Sequence, residues 1–309
     1  MTSFVQGPHD YLVPVTPDRG PFGLGRARTW DWPASVTEVT PEQLRDTPVD
    51  VVVLQHPGEL PLATRWLGRR PGQDLPAVYV EHDAPAGPAA DTPHPLTGAD
   101  GIMLVHVTRF NALYWDCGGR PVTVIEHGIP DPGARWTGDV ARAAVVVNDP
   151  LPRGRTVGAD LLAGFAGHAP LDVFGMRVTG LGRALGMTAG QCREYEDLPQ
   201  ARLHEQLPRR RVYLHPFRWT SLGLSLIEAM YLGMPVVVLA ATEAPRAVPP
   251  AAGAITTDLT ELHAAVRRFI RDPQAARDAG LAAREAAGAR YGLKRFLREW
   301  DQVLQEVRA

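Results

Sequence analysis

Residues 215–236 run His-Pro-Phe-Arg-Trp-Thr-Ser-Leu-Gly-Leu-Ser-Leu-Ile-Glu-Ala-Met-Tyr-Leu-Gly-Met-Pro-Val, an order that fits a turn, a short helix, a second turn and a strand. The turn at Ser221 to Gly223 opens a short amphipathic helix. That helix holds Glu228 and stops at Gly233 and Pro235, ahead of a buried strand over 236–240. Unpaired N–H groups at such a helix start form an anion site, and the aligned peptide dipoles add positive potential there. Glu228 is two turns beyond Ser221, so it falls on the face of Ser221 and Leu224. An anion site with an acceptor carboxylate beyond it suits a diphosphate joined to a ribose. That combination is a sugar nucleotide.

The remaining apolar runs supply sheets around this unit. Short segments rich in Val, Ile or Leu occur over 49–54, 77–81, 102–107, 122–125, 144–147, 171–174 and 212–214, each bounded by Pro, Gly or charge. Such runs are parallel strands covered on both faces. Helical stretches lie between them over 57–67, 109–116 and 158–167. The last quarter is helical over 259–271, 273–287 and 293–307. Alternating strand and helix gives doubly wound α/β units. At 309 residues the chain exceeds ordinary single-domain size, which implies two domains. Residues 14–33 hold four prolines and three glycines, too broken for regular helix, and no strand is assigned before residue 49.

Composition excludes several classes. A formal charge of −2 offers no electrostatic case for nucleic acid or an anionic membrane. Cys117 and Cys192 are too few for a disulfide framework or a thiolate metal site, which fits a reducing cytoplasm. No apolar run approaches the length of a bilayer span. Gly180 to Gly186 has the wrong spacing for a dinucleotide fingerprint, and no phosphate-binding Gly-Lys-Ser/Thr loop exists. The ten histidines lack metal-ligand spacing, and Arg209-Arg210-Arg211 reads as a solvated approach to a strand.

The 215–237 segment resembles the core motif of the retaining GT-B glycosyltransferases of family 4, Pro-Ser-x-x-Glu-Gly-Phe-Gly-Leu-x-x-x-Glu-Ala-Met-x-x-Gly-x-Pro-Val-Val. Pro216, Gly223, Leu224, Glu228, Ala229, Met230, Gly233, Pro235, Val236 and Val237 stand in register. Phe217 stands where Ser is usual, and Thr220 replaces the first of two glutamates. The resemblance implies two Rossmann-like doubly wound domains facing across a cleft. Residues 1–136 would form the acceptor-side domain, lacking its first strand, and 137–290 the nucleotide-sugar domain. Residues 291–309 would be a terminal helix crossing back.

By the same resemblance, Ser221, Leu222, Gly223 and Leu224 grip the diphosphate, Glu228 holds the ribose, and Thr220 contacts the sugar. Arg153 and Arg155 occupy a loop where the family places phosphate-binding cations, while Val157 stands at the lysine position; as residues alone, they also read as solvated arginines. His82 ends a strand where the family has a His facing the donor sugar, and it also reads as a polar strand-end residue. Gln6, Gly7 and His9 fall where the family has its glycine loop, and equally suit an ordinary turn. The implied activity is transfer of a hexosyl group from a nucleotide diphosphate sugar to an acceptor hydroxyl with retention and without metal. An epimerase or hydrolase on the same scaffold is the alternative, as is a binding protein without turnover. The donor base, sugar and acceptor stay open, as do the oligomeric state and any peripheral membrane contact.

Overall fold

The computed structural model describes residues 1–27 and 30–309. Arg28 and Thr29, within the broken 14–33 stretch, lie outside the described residues. The chain forms two compact units, Met1–Gly128 with Leu293–Ala309, and Ile129–Gly292.

In the first unit a parallel sheet runs Val52–Leu54, Ala77–Glu81, Ile102–His106, Val122–Val124. Ala77–Glu81 is buried along its whole length, as its β-branched and aromatic residues favour. The Leu293–Arg308 helix presents Phe296, Trp300 and Val303 at spacings of four and three residues. All three are buried against Val78, Val80, Val105 and Val107. Two further strands precede residue 49: Tyr11–Pro14 pairs in parallel with Val36–Val39, over a small core of Val5, Tyr11, Val13 and Val36. Among the described residues, neither joins the four-stranded sheet.

The second unit carries a six-stranded parallel sheet in the spatial order Cys192–Glu196, Leu171–Gly175, Val140–Val146, Arg210–His215, Val236–Leu239, Gly253–Thr256. Numbered along the chain this is 3-2-1-4-5-6, the doubly wound Rossmann order. The chain reverses direction across the sheet between Val140–Val146 and Arg210–His215. Apolar clusters cover both faces, one around Phe165, Val266 and Phe269, the other around Leu226, Ile227 and Met230. Each fully buried aliphatic side chain there contributes about 1.5–3 kcal/mol.

Two expectations are corrected here. The Leu224–Tyr231 helix is not amphipathic: Leu226 through Tyr231 are all buried, because the helix lies between the sheet and the Pro273–Arg290 helix. Nor is Arg210 solvated. It is 4% exposed and donates from Nε to Asp172 Oδ2 at 2.7 Å, while Arg142 Nε engages the other carboxylate oxygen. The Arg210 guanidinium also lies over the stacked rings of Phe174 and Tyr195.

Candidate functional site

Ligands of open α/β sheets bind beyond the carboxyl ends of strands at the point where strand order reverses. In the second unit that point is shared by the loops after Val140–Val146 and Arg210–His215, and the two loops are knitted together. Arg218 and Trp219 N–H groups both donate to Thr156 O. Gly158, at φ 71°, passes so close that a Cβ would sit 2.0 Å from Pro216 O, so only glycine fits there. Arg218 donates twice to Asp160, at 2.6 and 2.9 Å, and once to Arg155 O at 3.0 Å. Its guanidinium holds the Asp160 carboxyl below the usual carboxylate range. Arg155 bonds the same carboxylate at 3.0 Å while remaining 77% exposed, so this contact adds little stability and leaves the cation reachable. Arg153 is exposed on the same loop.

The second loop turns into the helix at Gly223, whose extended backbone leaves the helix start without a side-chain cap. Among the described residues, the N–H groups of Gly223, Leu224 and Ser225 have no hydrogen-bond partner. The exposed tip begins at Gly223. Ser221 and Leu222 are buried, Leu222 because its side chain fills the core beside Leu226 and Met230. These two therefore shape the turn from inside. Tyr213 donates its hydroxyl to Ser225 Oγ at 2.9 Å, which leaves the Ser225 proton to donate elsewhere. The turn rests on His215, whose ring stacks on Phe217 with centroids 4.3 Å apart; burial pushes its pKa down to about 3. The imidazole is a neutral platform.

One turn into the helix, Glu228 is 9% exposed. Gln200 Nε2 donates to its Oε1 at 3.0 Å, and His204 Nε2 stands 3.6 Å from Oε2. Thr220 is half-buried at the start of the turn and brings a hydroxyl but no charge.

Residues 189–286 match the family model for glycosyl transferases group 1. The chain carries a glycosyl transferases group 1 domain. The domain holds the helix start and Glu228; Arg153 and Arg155 precede the matched span. No curated protein sequence matches the chain significantly. Its α/β architecture is that of solved GT-B glycosyltransferases. It resembles a sucrose-phosphate synthase from Thermosynechococcus elongatus at a TM-score of 0.68 and 16% identity, over 84% of this chain and 73% of that one. Anabaena HepE in complex with UDP-glucose aligns at 0.65 and 17% identity, over 88% and 86%. TarM of S. aureus, in a complex containing UDP, aligns at 0.62 and 12% identity; the chain spans 55% of its length.

In the first unit, His82 follows the carboxyl end of Ala77–Glu81, as its sequence context implied. Its Nε2 meets Gln55 Oε1 at 3.1 Å, and burial pushes its pKa down to about 4. The ring is therefore neutral near pH 7. His127 lies close enough to lower its own pKa through His82, after burial, and Arg295 binds the carbonyls of Glu126 and His127. Gln6 lies in a one-turn helix, Phe4–Gln6, Gly7 packs against Tyr11, and His9 pairs with Asp301 of the terminal helix at 2.8 Å. Those contacts lie within the unit.

Sequence reading missed four residues at the group 1 domain's site: Arg218, Ser225, Gln200 and His204. Arg218 and Ser225 lay inside the quoted motif at positions the motif leaves free. Gln200 and His204 carried a findable signal, a four-residue spacing that puts both on one helical face.

Proposed function

We propose that the protein is a retaining glycosyltransferase that moves a sugar from a UDP-sugar to an acceptor hydroxyl. One observation carries the reading: an uncapped helix start at the strand-order reversal, with Glu228 one turn behind it and reachable cations on the adjoining loop. Unpaired amides and arginines there match a diphosphate, and a buried carboxylate matches vicinal ribose hydroxyls. The UDP preference follows from the ligands of HepE and TarM.

Charge dictates the mechanism. As the glycosidic bond breaks, negative charge collects on the leaving diphosphate. The N–H groups of Gly223 to Ser225, the Ser225 hydroxyl and Arg155 stabilise that charge more strongly in the transition state than in the ground state. Arg218 holds the Arg155 loop in position through Asp160. Thr220 offers the sugar one hydroxyl where a carboxylate would offer a charge, so donor-sugar recognition rests on neutral hydrogen bonds. Within the first unit, His82 is neutral, so it can donate or accept a hydrogen bond and does not act as an acid.

Calorimetric titration with UDP-glucose, UDP-N-acetylglucosamine and the corresponding GDP, ADP and TDP sugars tests the reading. Binding of one group, lost in Glu228→Ala, supports it; no binding of any of them overturns it. Product analysis then separates transfer from its rivals, since free sugar or an epimer without acceptor indicates a hydrolase or epimerase.

A further inference from the structure

Glu228 is held from outside its own helix, by two side chains on one face of Gln200–Gln206. A carboxylate only accepts hydrogen bonds, so the Gln200 amide must present its nitrogen. One amide hydrogen reaches Glu228 Oε1 at 3.0 Å and the other reaches His204 Nε2 at 2.7 Å. His204 Nε2 is then an acceptor, and its ring proton sits on Nδ1. Nε2 and Glu228 Oε2, 3.6 Å apart, are both acceptors and do not bond. Oε2 remains available to a hydroxyl.

We propose that Gln200 and His204 are positioning residues that form a protonation-dependent clamp on Glu228 and set whether its Oε2 can accept a ribose hydroxyl. This rests on Glu228 being the ribose acceptor. When His204 gains a second proton, its Nε2–H opposes the Gln200 amide N–H, donor against donor. The amide is released, and His204 turns to Oε2 as a charged donor that competes with the ribose. The charged groups facing His204 are Glu228, and across an adjoining cavity of about 530 Å³ Arg135, Asp139, Glu205 and Arg209. Arg209 and Asp139 pair with each other at 2.8 Å, so Glu228 is the carboxylate His204 meets across a single short gap.

The experiment is calorimetric titration of the intact protein with UDP-glucose, whose diester diphosphate does not titrate in this range, at about pH 8 and about pH 5.5. Wild-type affinity is expected to fall about tenfold at the lower pH, the scale of one charged hydrogen bond. His204→Asn removes the dependence, and Gln200→Ala weakens binding at both pH values. Equal wild-type affinity at the two pH values, or an unchanged dependence in His204→Asn, overturns the clamp while leaving Glu228 as ribose acceptor. Absence of any binding at pH 8 overturns that assignment and the clamp with it. The wild-type series needs no variant, so misfolding of a mutant does not shield the proposal.

Discussion

Gly223 and His215 are in direct contact: a Cβ built on Gly223 would lie 2.6 Å from His215 Cε1. The imidazole cannot retreat, because it is 2% exposed and stacked on Phe217. The substitution Gly223→Ala therefore pushes the helix start away from its platform. Overpacking of this kind costs about 1–3 kcal/mol. It also misaims the Gly223 to Ser225 amides, so UDP-sugar affinity is expected to fall further than stability alone explains. Parallel thermal melts and titrations decide this. Wild-type affinity in Gly223→Ala would mean that the helix tip does not hold the diphosphate.

Glu228→Gln separates charge from shape. Glutamine fits the space and keeps one oxygen toward Gln200 Nε2, but the anion is gone. Loss of a charged acceptor costs about 1.5–3 kcal/mol, so donor affinity is expected to drop about 10- to 100-fold with the melting temperature little changed. A titration of UDP and UDP-glucose against the variant checks it. A uniform loss for both ligands assigns the contact to the nucleotide, whereas a loss confined to UDP-glucose would move Glu228 to the sugar.

Asp172 is fully buried between Arg142 and Arg210, and Tyr195 also donates to it at 3.3 Å. Removing the carboxylate in Asp172→Ala leaves two desolvated guanidinium groups without a counter-charge. Breaking a buried pair in this way costs about 3–5 kcal/mol. Urea denaturation of the variant is expected to show a loss of that order, with the remaining folded protein still binding donor. A loss below about 1 kcal/mol would mean that the backbone carbonyls of Leu171, Gly190 and Gln206 suffice to hold the two cations.

The strands legible in the sequence were those of the first unit's four-stranded sheet, its edges Val52–Leu54 and Val122–Val124 included, and the four interior strands of the second unit's sheet. Ala77–Glu81, Ile102–His106 and Val236–Leu239 are near-continuous apolar runs because both faces are covered. The strands missed in the six-stranded sheet were its two edges. Cys192–Glu196 carries three charged residues, Arg193, Glu194 and Glu196, and Gly253–Thr256 is half-buried throughout, so neither has the interior signature. Tyr11–Pro14 was hidden for another reason: it is only four residues long and runs directly into the 14–33 stretch, whose prolines and glycines look like loop. At the site, local contacts were readable and distant ones were not. The 221–228 spacing exposed the helix start and Glu228, while Gln200 and His204 reach Glu228 from another helix. Arg210 was misread because its partner, Asp172, lies on a different strand. No local pattern in an arginine triplet says which member turns inward.

Acid should destabilise the fold before its carboxylates titrate. Burial pushes His215 down to about 3, and His82 and His106 to about 4, against about 6.5 in an unfolded chain. The folded value lies below the unfolded one in each case, so the unfolded state binds more protons throughout that window. Stability is then complete above about pH 6.5 and is lost as pH falls toward 4. Each pKa unit is worth about 1.4 kcal/mol, so three such histidines amount to several kcal/mol. Urea midpoints between about pH 7 and 5, where carboxylates stay ionised, isolate the histidine contribution. His215→Phe keeps the stack on Phe217 without a titrating ring and is expected to reduce the slope by one proton. An equal slope in wild type and variant would mean that His215 reaches solvent and titrates normally in the folded protein.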